Sequence, residues 1–208
     1  MAVAVATYHD NYGTLPPAYI ADAEGRPMHS WRVLILPFLE QQDLYEQYDF
    51  DEPWDGPNNR KLLKQRPSVY AFHDKESQTG TATNYVAVVG DETVWPQGKS
   101  LSMDQISDGG ALTILIVENQ GGKIPWTEPR DLEFAAMSME VGAPAGVSSR
   151  FDPPAVVTAD GSVHTLSFGL APATLRALLT ARGGEDVPVD SHLQEVPDGR
   201  RRPVKTPR

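Results

Sequence analysis

Thirty-five of the 208 residues are glycine or proline, and they are spread along the whole chain. Proline fixes φ and removes a backbone donor, and glycine costs conformational entropy inside a helix or strand, so this spacing cuts the chain into many short elements. Long helical arrays are thereby excluded. No period of roughly 20–50 residues recurs, which removes solenoids and propellers. A chain of this length then forms one domain, or at most two small ones, built from short pieces around a core.

The first piece is helical. Met1, Val5, Tyr8 and Tyr12 follow the spacing of one helical face, and Gly13 supplies the stop before Pro16 and Pro17. No N-cap or turn signal precedes Ala2, so the sequence predicts that the natural helix extends upstream. In SWRVLILPFLEQQDLYEQYDF (30–50), Trp31, Val33 and Ile35 alternate as in a strand, and Pro37 suits the first turn of a helix lined by Phe38, Gln41, Tyr45 and Tyr48. A stretch near 73–82 reads as mobile. The β-branched runs NYVAVVG and ALTILIVEN have strand length, and AVVTADGSVHTLSF (155–168) forms two alternating arms around Asp160-Gly161, a hairpin signal. Leu175, Leu178 and Leu179 share one face of a short helix that ends before Gly183-Gly184. This order predicts an α+β fold, an N-terminal helix packed on an antiparallel sheet that includes 84–89, 112–117 and the 155–168 hairpin, with short extra helices. Residues 1–184 read as a single head domain and 185–208 as a flexible tail.

Charge narrows the partners. The net charge is −10, yet residues 200–208 carry five bases and no acid, which leaves 13 bases against 28 acids, or −15, over the rest. Such a body repels phosphate backbones, so nucleic acid is not expected as a partner. The basic end RRRPVKTPR reads as a solvated terminus. Without cysteine there is no disulfide, thiolate zinc site or thiol nucleophile. No run approaches the ~20 apolar residues of a membrane-spanning helix.

Few motifs survive their spacing requirements. TVWPQGKS (93–100) ends like a phosphate loop, but Thr93 replaces its first glycine and Pro96 removes a donor. His9, His29, His73, His164 and His192 show no zinc-ligand spacing, and GVSSR is not a nucleophile elbow. Glu118 and Glu128 are a carboxylate pair whose separation the sequence does not set. No catalytic residue and no cofactor are therefore predicted. The loop DFDEPWDGPNN gathers hard oxygen donors, making Asp49, Asp51 and Asp55 weak calcium candidates, although Pro53 and Trp54 break the EF-hand pattern. Trp54 and Trp95, with polar neighbours, are the candidate ligand-binding aromatics.

Several blocks recur together in a known family: YHDNYGTLPPAYI (8–20), SWRVLILPFLEQQDLYEQYDFDEPWDGPNN (30–59), TNYVAVVG (83–90), ISDGGALTILIVEN (106–119), WTEPRDL (126–132) and ADGSVHTLS (159–167). In that order they resemble the pilin-like family abundant in planctomycetes and catalogued as domain of unknown function 1559. The chain departs from it at Ala71-Phe72, where a cysteine is frequent, and at Arg150-Phe151-Asp152-Pro153, where a His-Gly-Gly stretch is frequent. The resemblance implies the soluble head of a type IV pilin or type II secretion pseudopilin-like protein. Such heads join other pilin-like subunits, and the membrane, through a prepilin helix missing here, in the cell envelope at the periplasmic or outer side. Two readings follow: a non-enzymatic structural subunit, monomeric as this chain, or an extracellular glycan- or solute-binding module.

Overall fold

The computed structural model describes residues 1–73, 77–185, 193–196 and 202–203. His192 and most of the basic end lie outside the described residues, as do positions 74–76 of the stretch expected to be mobile.

The chain opens with α1 (Ala2–Tyr12), as the i, i+4 spacing predicts. It ends at Gly13, whose φ of 76° lets its N–H reach the carbonyl of His9. Ala4 and Val5 are buried against the core, whereas Tyr12, the last member of the expected apolar stripe, is open to solvent. A two-stranded ribbon follows, β1 (Tyr19–Ala21) with β2 (Pro27–Ser30).

The strand expected over Trp31–Ile35 is instead α2 (Trp31–Leu34), continued by a 3₁₀ turn, Leu36–Leu39. Ser30 starts this helix, its hydroxyl accepting from the Arg32 N–H. Trp31, Arg32, Val33, Leu34, Ile35 and Leu36 are all buried. A segment enclosed on every side has no polar face to reveal its period, so the apparent alternation carried no information. Next come α3 (Gln42–Gln47) and α4 (Asn59–Leu62).

Short strands supply the frame: β3 (Ala82–Thr83), β4 (Tyr85–Val86), β5 (Val88–Val89), β6 (Ile114–Glu118), β7 (Ile124–Pro125), β8 (Leu132–Glu133), β9 (Phe151–Asp152), β10 (Ala155–Thr158) and β11 (Val163–Leu166). After α5 (Pro172–Leu179) come β12 (Leu193–Glu195) and β13 (Arg202–Pro203). The main sheet has the order β12-β11-β10-β6-β4 and every pairing in it is antiparallel. The fold is α+β. Of the expected strand 84–89, only the first half stays in this sheet, because β5 leaves it to pair in parallel with β8. Within the stretch 185–208, β12 pairs with β11 and β13 with β9.

A register shift between Val157 and Thr158 sets Val157 opposite Ile116 and Thr158 opposite Ile114, leaving Leu115 as an extra residue. The bulge turns Ile114 and Val117 toward one apolar cluster and Leu115 and Ile116 toward the other. The cluster with Leu115 and Ile116 includes Ala4 and Val5 of α1, with Trp31, Trp95 and Trp126; the cluster with Ile114 and Val117 includes Leu175, Leu178 and Leu179 of α5. The sheet is therefore covered on both faces. The 155–168 hairpin forms as expected. Its tip is longer than a two-residue turn: the Thr158 N–H reaches the Ser162 carbonyl, Gly161 takes φ 89°, and Asp160 accepts from the Thr158 hydroxyl and the Ser162 N–H.

Candidate functional site

One pair of opposite charges lies inside the protein. Arg32 and Asp131 form an ion pair whose side chains are 0% and 2% exposed. The Asp131 carboxylate also accepts the Ala87 N–H at 2.7 Å and the Trp31 indole N–H at 3.3 Å. Arg32 donates from Nε to the Tyr85 carbonyl (3.1 Å) and from Nη1 to the Ser30 hydroxyl (2.9 Å). The Tyr70 hydroxyl donates to the Arg32 carbonyl at 2.6 Å. Burial pushes the Asp131 carboxyl up from its usual range, against the pull of the guanidinium and the donated hydrogen bonds. Perturbed carboxylates often mark active sites, but this one is closed off from solvent and meets donors of its own chain. The junction ties segments that are far apart in sequence and offers nothing to a substrate.

The tryptophan pair beside it, with Arg32 over one ring, has the same character. Trp31 and Trp95 lie with centroids 5.1 Å apart, Arg32 sits 4.8 Å over the Trp31 ring, and the Trp95 indole N–H donates to the Leu115 carbonyl at 2.7 Å. Trp95 is 1% exposed. The pairing of Trp54 with Trp95 as a ligand-gripping surface is thereby corrected: Trp54 is half-buried, but Trp95 is core. A buried ring with its N–H satisfied contributes packing energy and leaves no face for a solute.

The acidic loop is organised around an amide. Asn59, fully buried, accepts from the Asp49 N–H and donates to the carbonyls of Asp49, Glu52 and Pro53. The Glu52 carboxylate caps α4 by accepting from the N–H groups of Asn58 and Asn59. The calcium candidates do not converge. Asp49 accepts from the Asp51 N–H and Asp55 faces Arg60 at 4.0 Å; among the described residues no group of three or more His, Asp or Glu could hold a metal ion. Glu118 and Glu128 also have separate partners, the Ala155 N–H and Arg130 respectively.

His29 is a buried titratable group next to this loop, with Nδ1 3.0 Å from the Tyr48 hydroxyl and Nε2 3.1 Å from the Phe50 carbonyl. Burial lowers its pKa, opposed by the Phe50 carbonyl and Asp49. Below about pH 6.5 an unfolded histidine binds a proton that the folded His29 resists, so stability should fall as the pH drops from there toward its lowered pKa. Urea unfolding at about pH 7 and about pH 5 checks this: His29→Gln should remove part of the acid loss, and an identical loss in both proteins contradicts it.

Sequence reasoning missed Asp131, Tyr70 and Asn59 as organising groups. The signal for Arg32 and Asp131 was present only as two of the quoted blocks, SWRV and WTEPRDL, with nothing local to pair them.

Two of the open concavities on the described surface lie beside α5 and α1. One, of about 470 Å³, lies between Asp91–Thr93 and the end of α5, where Arg176 pairs with Glu92. The other, of about 350 Å³ and mainly apolar, runs along the first turn of α1 and includes Met1, Val3, Ile116, Val157 and Val163.

Against known families, residues 1–87 match the one described as "Protein of unknown function (DUF1559)". It is the family that the sequence resembles. The DUF1559 match runs from α1 to Ala87 and so takes in Trp31, Arg32, Tyr70 and Asn59, while Asp131, Glu118 and the hairpin lie beyond it. No curated protein and no solved structure matches the chain. The described helices include none long and apolar enough to cross a membrane.

Proposed function

We propose that the protein is a non-enzymatic structural subunit, the head of a pilin- or pseudopilin-like protein of the cell envelope. The observation that carries this reading is where the reactive side chains are placed. Arg32, Asp131, Asn59, Glu118 and His29 are all buried with partners inside the chain, so they hold the head together. Support also comes from the DUF1559 match, which takes in α1, and from the packing of α1, which buries Ala4 and Val5 fully while Met1 and Tyr8 rest on the core partly exposed. Val3, at 77% exposed, and the apolar groove along the first turn leave that end of the helix open to a neighbour.

In this reading subunits associate through an apolar helix continuous with α1, and the heads meet by smaller polar contacts. The body charge of −15 opposes head-to-head approach. The 208-residue chain should therefore sediment as a monomer at tens of micromolar and moderate salt, and joining an apolar prepilin-type helix to α1 should make it membrane-associated and able to assemble. A stable high-order oligomer of the chain alone would overturn this. So would turnover of an ester, glycoside, phosphoester or peptide substrate that a single Asp or His substitution abolishes.

A further inference from the structure

The surface beside the buried Asn59 carries both signs of charge. On α4 and the 3₁₀ turn after it (Leu63–Gln65), Arg60, Lys61 and Lys64 share the exposed side while Asn59 and Leu62 turn inward. Three cations at i, i+1 and i+4 repel one another unless something answers them. Little in the chain does. Arg60 has Asp55 at 4.0 Å, the Lys61 ammonium donates to the Asn58 amide oxygen at 3.2 Å, and Lys64 has no ion-pair partner among the described residues. Glu40 and Asp43 share a concavity with Gln65 at the end of this strip without pairing to it, and Arg66 donates instead to the Ser77 and Ala82 carbonyls.

The neighbouring acids are also open. Asp51 is exposed and the Asp55 side chain is 48% exposed, whereas Asp49 and Glu52 accept from backbone N–H groups of their own loop. Pro53, Trp54 and Pro57 run between Asp51 and Arg60. The indole N–H groups of Trp31, Trp95 and Trp126 all donate inside the chain; that of Trp54 meets no acceptor among the described residues, and its ring is half-buried. Tryptophan and arginine concentrate at the energetic centres of protein interfaces because they join a large contact area to a polar edge. The loop is already held in shape. The Trp54 backbone N–H donates to the Met28 carbonyl at 3.1 Å, the Gly56 N–H to the Pro53 carbonyl at 2.8 Å, and the Asn59 amide to three carbonyls, so a contact here orders little that is not ordered beforehand.

Charge selects the occupant. A wholly anionic partner would suit the strip but be repelled by Asp51 and Asp55, and a wholly cationic one would meet the reverse conflict. The matching surface carries both signs in the opposite order. A second copy turned about a two-fold axis presents them so, because each group of one copy then faces its opposite on the other. We propose that residues 51–64 form a self-complementary patch through which two heads pair, Arg60, Lys61 and Lys64 of each lying over Asp51 and Asp55 of the other beside the two Trp54 rings. The proposal rests on the structural-subunit reading only for the local concentration that makes so small a contact count: it names the polar contact between heads, which is weak in solution, with a Kd on the order of 1 mM, and leaves the chain monomeric at tens of micromolar.

Salt dependence follows from two distances. At about 0.1 M salt the repulsion between the acidic bodies is screened beyond about 10 Å while contact pairs near 4 Å persist; at about 1 M the pairs are screened as well. In ¹H–¹⁵N spectra of the whole chain, raising its concentration from about 20 μM to about 1 mM at about 0.1 M salt should shift resonances of 51–64, and about 1 M salt should abolish the shifts. Trp54→Ala should weaken pairing about tenfold. The charge-reversed variants Asp51→Lys/Asp55→Lys and Lys61→Glu/Lys64→Glu should each lose self-pairing, and mixing the two should restore it. Two reversals move the net charge of −10 by four, to −6 and −14, so both proteins stay negative and recovery cannot be general attraction. Melting temperatures close to that of the parent chain establish that the reversed proteins are folded. Absence of shifts at about 1 mM overturns the proposal, as do shifts confined to another surface, pairing that strengthens at about 1 M salt, or a mixture that does not recover. Any of these leaves assembly through α1 standing, since that is read from the chain joined to a prepilin-type helix.

Discussion

Asp131→Ala should cost about 3–5 kcal/mol of stability, close to what many domains possess in total. The loss is not the attraction of one ion pair. Removing the carboxylate leaves the Arg32 guanidinium buried without its counter-charge and strands the N–H groups of Ala87 and Trp31, each of which carries its own desolvation cost. The double variant Arg32→Met/Asp131→Ala should therefore be more stable than Asp131→Ala alone, since no uncompensated charge remains. Urea unfolding of the three proteins measures this. A single-variant loss below about 1 kcal/mol, the range of surface pairs, would show that water reaches the junction.

Trp95→Ala should be comparably damaging, about 3–5 kcal/mol, because it empties a fully enclosed volume between Trp31 and β6 and leaves the Leu115 carbonyl without its donor. Trp54→Ala, at a half-buried position, should cost much less. The comparison bears directly on what these tryptophans do. Were Trp95 part of a solute-binding surface, its removal would spare stability; equal, small losses at both positions would contradict the buried placement.

Local periodicity made some elements legible and tertiary enclosure hid others. α1 could be read because Gly13 ends an i, i+4 series, and the 155–168 hairpin because its arms alternate around Asp160-Gly161. α5 was visible because three leucines share one face while Arg176 lies outside it. Residues 31–36 failed for the opposite reason: with every side chain buried, even an arginine, no polar face marks the helix. Asp131 lies 99 positions from Arg32, so no window on the sequence relates them. The acidic loop looked like a metal site because oxygen donors are dense there, whereas its geometry is set by one neutral amide, Asn59, whose capacity to donate and accept together is not apparent from composition.

The Arg32–Asp131 junction has one more consequence, for how the sheet ends. β4 is the last strand on its side, and terminal strands usually present unpaired N–H and C=O groups to which another chain can add. Here the Tyr85 N–H is taken by the Thr83 hydroxyl, the Tyr85 carbonyl by Arg32 Nε, and the Ala87 N–H by Asp131. At the opposite side β12 lies along β11. A buried ion pair thus works as a border for the ladder. Copies of this head brought to high local concentration would find that strand edge already satisfied, so crowding alone would not convert them into a continuous cross-β stack at β4.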